Sequence, residues 1–214
     1  MKEVNTRKEE KKAGSPLLSK IIRILSGKPE EEVFEEVKAP EILANDPLDL
    51  QFVKRFTHEG GKFLYCESLT ELRETLNAIR IETGLKTAHF PQLGTHKLME
   101  AVGFPFTAGA ADEASFWISD CECLVAQLGG IMISSNQTLG KPLNAMPKIF
   151  VFWAEAGQFV ERLNEGLTLI REKHSGHIPN QITTVRGPKV QAVGMGNVQG
   201  PTEVYLILTE RFGL

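Results

Sequence analysis

The chain has 214 residues, of which 42% are hydrophobic, so it is long enough to bury one sizeable core. Its net charge of −3 provides no basic field for nucleic acid or an anionic membrane. No apolar run approaches the roughly 20 residues that a membrane-spanning helix needs, and the charged amino terminus lacks the apolar core of a secretory signal. We therefore expect a cytoplasmic protein that is not inserted in a membrane.

The amino-terminal part of the chain is predicted to lie outside the main fold. Residues 1–14 are rich in Lys, Arg and Glu, which is typical of a disordered tail. Residues 15–60 are predicted to form a helical arm, with one helix that begins at Ser15-Pro16 and a second that begins at Asp46-Pro47. Gly60-Gly61 closes the second helix. The main domain is then predicted to span residues 61–214.

Strand and helix patterns alternate along this main domain. The predicted strands include Lys62–Cys66, Thr87–Phe90, Phe116–Ser119, Ile131–Ser134 and Lys148–Trp153, and a buried closing strand is predicted over Val204–Leu208. One predicted helix begins at the Ser68 capping box, and two short ones cover Thr95–Val102 and Glu122–Leu128. A long helix is predicted with Phe159, Leu163, Leu167 and Ile170 facing inward. Such alternation predicts an α/β fold with an open, mostly parallel sheet.

Three cysteines, Cys66, Cys121 and Cys123, are predicted to be structural. An odd number without regular spacing argues against a disulfide framework. Two thiolates at the spacing of Cys121 and Cys123 do not complete a zinc or iron–sulfur site. We expect these cysteines to be small buried or half-buried residues beside a strand. The sequence predicts no metal site and identifies no cofactor.

Two polar segments follow predicted strands and are candidates for binding a small anion. Thr184 and Arg186 come at the end of a strand that runs into a Gly-Pro turn, where open α/β sheets place their ligands. The Arg186 guanidinium suits a carboxylate or phosphate, and Lys189 adds a mobile charge. The second segment, residues 134–141, is dense in hydroxyl and amide donors. The alternatives are a surface pair between Arg186 and a nearby Glu, and a solvated loop whose polar side chains satisfy local turns.

Several short motifs, taken in order, resemble the LUD family, which includes lactate-utilisation proteins of the LutC and YkgG type. The motifs are Asp120 with the run of residues 123–133, Met146-Pro147-Lys148-Ile149-Phe150-Val151, Arg186-Gly187-Pro188 and Gln199-Gly200-Pro201. The resemblance covers roughly residues 50–210. It implies a fold of the NagB/RpiA/CoA-transferase-like type. It also implies a role in oxidising lactate beside iron–sulfur partner proteins.

The chain departs from this family at several acidic positions. Gln127 stands where the family commonly has a glutamate, and Val193 and Met195 replace two further carboxylates. Glutamine keeps the shape of glutamate but does not exchange protons in acid–base catalysis. Asp120 matches the family and is the acid candidate, and its alternative role is to cap a helix. We therefore expect binding, and no turnover of L-lactate by the isolated chain.

The predicted ligand site combines the family match with the two polar segments. If both segments leave the carboxyl ends of strands in one open sheet, they face a common cleft with Arg186 as the anchor for the anion. Asp120 is the catalytic candidate. The predicted ligand-binding residues are Gln127, Gly129, Gly130, Ser134, Ser135, Asn136, Thr184, Arg186, Gly187 and Lys189.

Three functions remain open from the sequence. The first is an organic-acid (lactate) utilisation component that binds a small anionic metabolite and acts with iron–sulfur partner proteins. The second is a stand-alone NagB/RpiA/CoA-transferase-like enzyme on a small phosphorylated or CoA-linked substrate, which the missing carboxylates disfavour. The third is a non-catalytic metabolite-binding module.

Overall fold

A computed structural model describes residues 40–43, 45–104, 107–110, 113–190 and 200–211. All of them lie within one compact unit that spans residues 39–214. The predicted tail, the first arm helix and the positions of Val193, Met195 and Gln199 lie outside the described residues. No helix in the described part of the chain is both long and apolar enough to span a bilayer.

The described residues form ten strands and five α-helices. The strands are β1 (Lys62–Cys66), β2 (Thr87–His89), β3 (Thr107–Ala108), β4 (Phe116–Ser119), β5 (Cys123–Val125), β6 (Gly130–Ser134), β7 (Ile149–Glu155), β8 (Phe159–Val160), β9 (Ile182–Val185) and β10 (Glu203–Thr209). The helices are α1 (Leu48–His58), α2 (Leu69–Thr83), α3 (Leu93–Val102), α4 (Ser135–Thr138) and α5 (Leu163–Lys173), and a 3₁₀ turn covers Leu143–Ala145.

The main sheet has six strands in the order β1-β10-β7-β4-β2-β3, and neighbouring strands pair in parallel. This arrangement confirms the predicted α/β fold with a mostly parallel sheet. Strands β7 and β10 are adjacent inner strands of this sheet and are buried along most of their length. Their continuous apolar sequence reflects burial on both faces of the sheet.

Helices α2 and α3 cover one face of this sheet. Leu72, Leu76 and Ile79 of α2 lie at helical spacing and pack in one apolar cluster with Ile118 of β4 and Val151 of β7. Each such side chain contributes roughly 1.5–3 kcal/mol when it is fully buried. Leu98, Met99 and Val102 of α3 belong to the same cluster, so this packing holds both helices against the sheet.

A second, four-stranded sheet has the order β8-β5-β6-β9 and was not predicted. The brief helix predicted at Glu122–Leu128 is wrong, because Cys123–Val125 forms strand β5 antiparallel to β6. The long helix predicted to include Phe159 begins instead at Leu163, since Phe159–Val160 forms β8. Short apolar runs that are buried on both sides carry no periodicity that separates a strand from a helix.

Helix α1 packs against strands of both sheets. Its Phe52 and Phe56 are fully buried, stack on each other at 5.4 Å between ring centroids, and Phe52 meets the Phe159 ring edge-on at 5.6 Å. Gly60 closes the helix with φ 86°, and a Cβ on Gly61 would lie 2.4 Å from the Phe56 ring. The predicted second arm helix is therefore present, while the domain boundary at residue 60 stays a prediction.

Candidate functional site

The connections of the main sheet single out the crevice between β2 and β4. The chain leaves β2 towards β3 on one side, and it leaves β4 towards β7 on the other side. Adjacent parallel strands whose connections depart in opposite directions open a crevice at their carboxyl ends, and open α/β proteins bind ligands there. The fold therefore places the candidate site beyond His89 and Ser119, the last residues of these two strands.

Three polar side chains meet at this crevice. Gln92 follows β2 and Asp120 follows β4. With the Gln92 amide oriented so that both of its ends find hydrogen-bond partners, its nitrogen lies 2.6 Å from both carboxyl oxygens of Asp120. Gln137 Nε2 donates to Asp120 Oδ1 at 3.2 Å and to the Gln92 amide oxygen at 3.0 Å. We call Gln92, Asp120 and Gln137 the switch-point cluster. It holds one half-buried carboxyl group between two neutral amides.

A capping box orients Gln137 towards Asp120. The Ser134 backbone N–H donates to Gln137 Oε1 at 2.8 Å, and Ser134 Oγ accepts from the Asn136 backbone N–H at 3.2 Å. With its oxygen held in this way, the fully buried Gln137 directs its amide nitrogen at the carboxyl group. The polar residues after β6 thus position the cluster.

A second carboxylate, Glu122, lies beside the cluster and is completely buried. It accepts hydrogen bonds from Ser134 Oγ at 2.8 Å, Lys173 Nζ at 2.9 Å and His174 Nε2 at 3.0 Å. Lys173 and His174 stand at the carboxyl-terminal end of α5, where positive charge also complements the helix dipole. In the structure, both residues also stabilise the negative charge of the Glu122 carboxylate.

Asp120 and Glu122 are two positions apart, but their pKa values shift in opposite directions. Burial raises the pKa of Asp120, against the smaller opposing effects of the Gln137 hydrogen bond and the Lys173 charge. Burial acts on Glu122 in the same sense, but hydrogen bonds from Lys173, His174 and Ser134 outweigh it and leave the pKa of Glu122 lowered. Two neighbouring carboxyl groups whose pKa values differ in this way can take different chemical roles. Glu122 is a fixed anion, whereas Asp120 is the group suited to exchanging a hydrogen bond or proton with a ligand.

The cysteines are buried, as predicted. Burial raises the pKa of the Cys121 thiol well above its ordinary value and that of Cys123 to about 12. Thiols in this state supply little thiolate at neutral pH, and the thiolate is the nucleophile and the metal ligand. In the part of the chain that the structure describes, no group of three or more His, Cys, Asp or Glu side chains is placed to hold a metal ion.

The two predicted ligand-binding segments lie at opposite ends of the second sheet. Strands β6 and β9 pair antiparallel, with Ser134 opposite Ile182 and Ile131 opposite Val185. The predicted common cleft assumed that both strands point the same way, and this assumption is wrong. Ser134, Ser135 and Asn136 lie at the end that holds the switch-point cluster. The other end of the ladder holds Thr184, Arg186, Gly187 and Lys189.

Arg186 directs its guanidinium at Glu59, which follows α1. Arg186 Nε donates to Glu59 Oε2 at 3.0 Å, and Nη2 donates to the other carboxylate oxygen. The Lys189 backbone N–H donates to the Glu59 carbonyl at 3.0 Å, and a Cβ on Gly187 would lie 2.3 Å from that oxygen. The alternative interpretation of Arg186, a pair with a nearby glutamate, is therefore observed. A role for Arg186 in anchoring an anion stays a prediction.

Three more predicted residues surround the turn between β5 and β6. Gln127 is exposed, and its backbone N–H donates to the Glu161 carbonyl at 3.0 Å. Gly129 has φ 57°, and a Cβ there would lie 2.6 Å from Arg55 Cβ, so the turn needs glycine both for its backbone conformation and for its contact with α1. A Cβ on Gly130 would lie 2.4 Å from the Thr184 side chain. Ligand contacts of these residues stay predictions.

Gln92, Gln137 and Glu122 were missed as functional residues. No short motif contains all three, because they come from separate segments that meet only in the folded chain. The available signal is that Gln92 stands between a strand and a helix, where polar residues often face a ligand. Asp120 was identified, through the family resemblance.

Comparisons with known proteins support a LUD domain in this chain. A family model described as the LUD domain matches residues 107–209. Lactate utilization protein C of Anoxybacillus flavithermus is 26% identical over 107 residues, which cover 48% of this chain and 47% of that protein. This match therefore spans about half the length of the curated relative. A crystal structure of a DUF162 family protein from Deinococcus radiodurans aligns with a TM-score of 0.57 at 16% identity, over 76% of this chain and 96% of that one, which shows a shared fold. The resemblance inferred from the motifs is confirmed.

Proposed function

We propose that this chain, which contains a LUD domain, is a lactate-utilisation component that binds a small 2-hydroxy acid at the switch-point cluster. Its similarity to lactate utilization protein C supports the metabolic setting. The observation that carries the ligand site is the meeting of Gln92, Asp120 and Gln137 at the carboxyl ends of β2 and β4.

In this proposal, the Asp120 carboxylate binds the hydroxyl group of the ligand. Its side chain is half-buried, so a ligand reaches it from solvent while part of the group is shielded from water. A carboxylate accepts a hydrogen bond from a hydroxyl group, and such charge-assisted hydrogen bonds are stronger than neutral ones. The amides of Gln92 and Gln137 keep the carboxyl group in place, so little ordering is required when the ligand binds.

Lys173 supplies the positive charge for the carboxylate of the ligand. Its side chain is 46% exposed, although its partner Glu122 is completely buried. The charge of Lys173 also acts on Asp120, where it lowers the pKa. A hydroxyl acceptor and a half-exposed ammonium group in one neighbourhood match the two polar groups that a 2-hydroxy acid carries.

The redox step belongs, in this proposal, to iron–sulfur partner proteins. The thiols of Cys121 and Cys123 have raised pKa values and are not suited to holding a cluster of their own. Affinity purification of the full chain from its native cells is expected to recover a protein with iron–sulfur absorbance. Recovery of the chain without any such protein, from cells grown on lactate, would contradict this part of the proposal.

Calorimetric titration with L-lactate tests the ligand site. Asp120→Asn is expected to lower the affinity about tenfold to a hundredfold, the scale of a hydrogen bond to a charged group. Asp49→Asn is the matched control, because Asp49 lies in the first turn of α1 and outside the cluster. Equal affinities for the wild type and Asp120→Asn would show that the cluster does not bind the ligand.

A further inference from the structure

We infer that Ser134 and Glu122 are positioning residues of the candidate site, which act on Asp120 through a chain of hydrogen bonds. The chain leads from the Glu122 carboxylate through the Ser134 hydroxyl group to the Gln137 amide. The Gln137 amide nitrogen in turn donates to the Asp120 carboxyl group. This inference rests on the proposed function, because it assigns two residues that hold the ligand-binding carboxyl group in place without contacting the ligand.

The Ser134 hydroxyl group connects three partners. Ser134 Oγ lies 2.8 Å from Glu122 Oε1 and 2.9 Å from Gln137 Oε1. It also accepts the Asn136 backbone N–H at 3.2 Å. The hydroxyl group carries one proton, and a charged acceptor forms a stronger hydrogen bond with it than a neutral one. The buried charge of Glu122 therefore draws this proton and fixes the rotamer of Ser134.

This rotamer matters because Ser134 begins α4 with a capping box. Its backbone N–H donates to Gln137 Oε1 at 2.8 Å, while its hydroxyl oxygen holds the Asn136 N–H in the first turn of the helix. Ser134 and Gln137 are each 1% exposed, so water does not compete for these hydrogen bonds. A change at the Ser134 hydroxyl group is therefore passed to the amide that holds Asp120.

Glu122 is suited to anchor this chain of hydrogen bonds because other residues fix its position. Lys173 Nζ and His174 Nε2, at the end of α5, lie 2.9 Å and 3.0 Å from Glu122 Oε2. The Glu122 side chain is completely buried, so it has little freedom to turn away from these partners. The chain of hydrogen bonds thus connects the end of α5 with the crevice between β2 and β4.

Glu122 can affect Asp120 by two routes, which have opposite effects on the pKa of Asp120. Burial is the largest influence on that pKa and raises it, and the negative charge of Glu122 adds to the rise. The Gln137 hydrogen bond lowers the same pKa, as do the Lys173 charge and the Ser119 hydroxyl group. A substitution that interrupts the chain of hydrogen bonds but removes no charge therefore tests the second route alone.

The test is an NMR titration of the Asp120 carboxyl carbon in the full chain, with the resonance assigned by its loss in Asp120→Asn. Ser134→Ala interrupts the chain of hydrogen bonds and removes no charge, so the midpoint of the Asp120 titration should move to higher pH. L-lactate should bind this variant about threefold to tenfold more weakly, the scale of a neutral hydrogen bond.

Ser68→Ala is the matched control. Ser68 caps α2 in the same way, by accepting the Glu71 backbone N–H at 3.2 Å, and α2 contributes no residue to the switch-point cluster. Loss of a capping serine should destabilise both variants, but Ser68→Ala should keep the wild-type midpoint of Asp120 and the wild-type affinity for L-lactate.

Combination of Ser134→Ala with Glu122→Gln measures the coupling directly. The effect of the Glu122 charge through space is the same with and without the Ser134 hydroxyl group. Any difference between the shifts that Glu122→Gln causes in these two backgrounds therefore reports on the chain of hydrogen bonds. We expect such a difference. If Glu122→Gln does not fold, the Ser134→Ala titration decides alone.

The outcomes separate this inference from the proposed function, because the NMR titration requires no ligand. An unchanged Asp120 midpoint in Ser134→Ala, or equal shifts by Glu122→Gln in the two backgrounds, would show that the two carboxyl groups interact only through space. Either result would overturn the inference and leave the proposed function as it stands. If the midpoint moves as expected but the wild type does not bind L-lactate, the proposed function fails and the positioning of Asp120 stands.

Discussion

The two ends of the β6–β9 ladder use charge in different ways. At one end, the Asp120 carboxyl group sits between neutral amides, and burial raises its pKa. At the other end, the Glu59 carboxylate is matched by the Arg186 guanidinium, which forms a fork of two hydrogen bonds. Arg186, which the sequence suggested as an anion anchor, thus joins the end of α1 to the end of β9. The carboxyl group without a matched cation is the better candidate for binding a ligand.

The largest effect is expected when Glu122, the buried neighbour of the cluster, loses its ammonium partner. Lys173→Met should lower the free energy of unfolding at neutral pH by about 2–4 kcal/mol, because it leaves a fully buried carboxylate with less compensation. The pKa of Glu122 is lowered in the folded chain from its ordinary value of 4.5, so its contribution to stability is present above that pH. It is lost as the pH falls through the lower, folded value.

Urea denaturation over a range of pH checks this prediction. The difference between the wild type and Lys173→Met should narrow on the acid side of 4.5, as Glu122 becomes protonated. A difference that persists unchanged in acid would mean that Lys173 contributes through packing of its aliphatic stem.

Removing the cation at the other end should have a smaller but clear effect. Arg186→Met is expected to lower the free energy of unfolding by about 1–3 kcal/mol, since Glu59 has a largely buried side chain and loses a bidentate partner. Because the pair joins the end of α1 to the residues after β9, amide hydrogen exchange should accelerate in both segments. If Arg186→Met is as stable as the wild type but fails to bind L-lactate, the ligand site lies at the Arg186 end of the ladder, and Arg186 is the anchor for the anion.

Asp120→Asn should change stability in the opposite direction. Burial raises the pKa of Asp120 above its ordinary value of 3.8, so the charged form is disfavoured by folding, and this cost is present at neutral pH. The cost fades as the pH falls through the raised pKa towards 3.8. We expect Asp120→Asn to raise the free energy of unfolding by about 0.5–1.5 kcal/mol at neutral pH and to bind L-lactate about tenfold to a hundredfold more weakly, a trade-off common at functional sites. Thermal unfolding at neutral and acid pH, compared with Asp49→Asn, measures the gain, and a net loss of stability would point to a purely structural Asp120.

The smallest effect is expected at a pair on the surface. Arg162 and Glu161 form an ion pair at 3.3 Å, and both side chains are more than half exposed. Arg162→Met should change the free energy of unfolding by less than about 0.5 kcal/mol, because water and salt screen such pairs. A loss comparable to that of Arg186→Met would show that burial does not distinguish the ion pairs of this protein.

Local patterns were sufficient to predict much of the main sheet. Strands β1 and β4 have the predicted bounds, and Ser68 caps α2 by accepting the Glu71 N–H at 3.2 Å. These elements have clear ends, because Gly61 precedes β1, Ser115 precedes β4 and Ser68 begins α2. Element type follows from the sequence when each boundary has its own signal.

The second sheet and the geometry of the site depend on contacts that no local pattern encodes. The all-apolar run from Cys123 is buried on both sides, so it fits a helix and a strand equally well. Once β5 is a strand, Gly129 belongs to the turn before β6, which begins at Gly130. The antiparallel pairing of β9 with β6 joins residues about 50 positions apart, and no local pattern specifies it. Asp120 could be chosen from the motif, but its meeting with Gln92 joins residues 28 positions apart in the printed sequence and requires the order of strands β2 and β4.

The pairing of β1 with β10 has a consequence for synthesis of the protein. Lys62 of β1 contacts Tyr205 of β10, 143 residues later, and β1 lies at the edge of the sheet beside β10. At the usual elongation rate of about 5–20 residues per second, the ribosome needs roughly 7–30 s to produce β10 after it has made β1. During that interval, β1 and the apolar side of α2 lack the contacts that they make with β10 in the folded protein. The nascent chain therefore has a time window in which a chaperone that holds exposed strands improves the yield of folded protein.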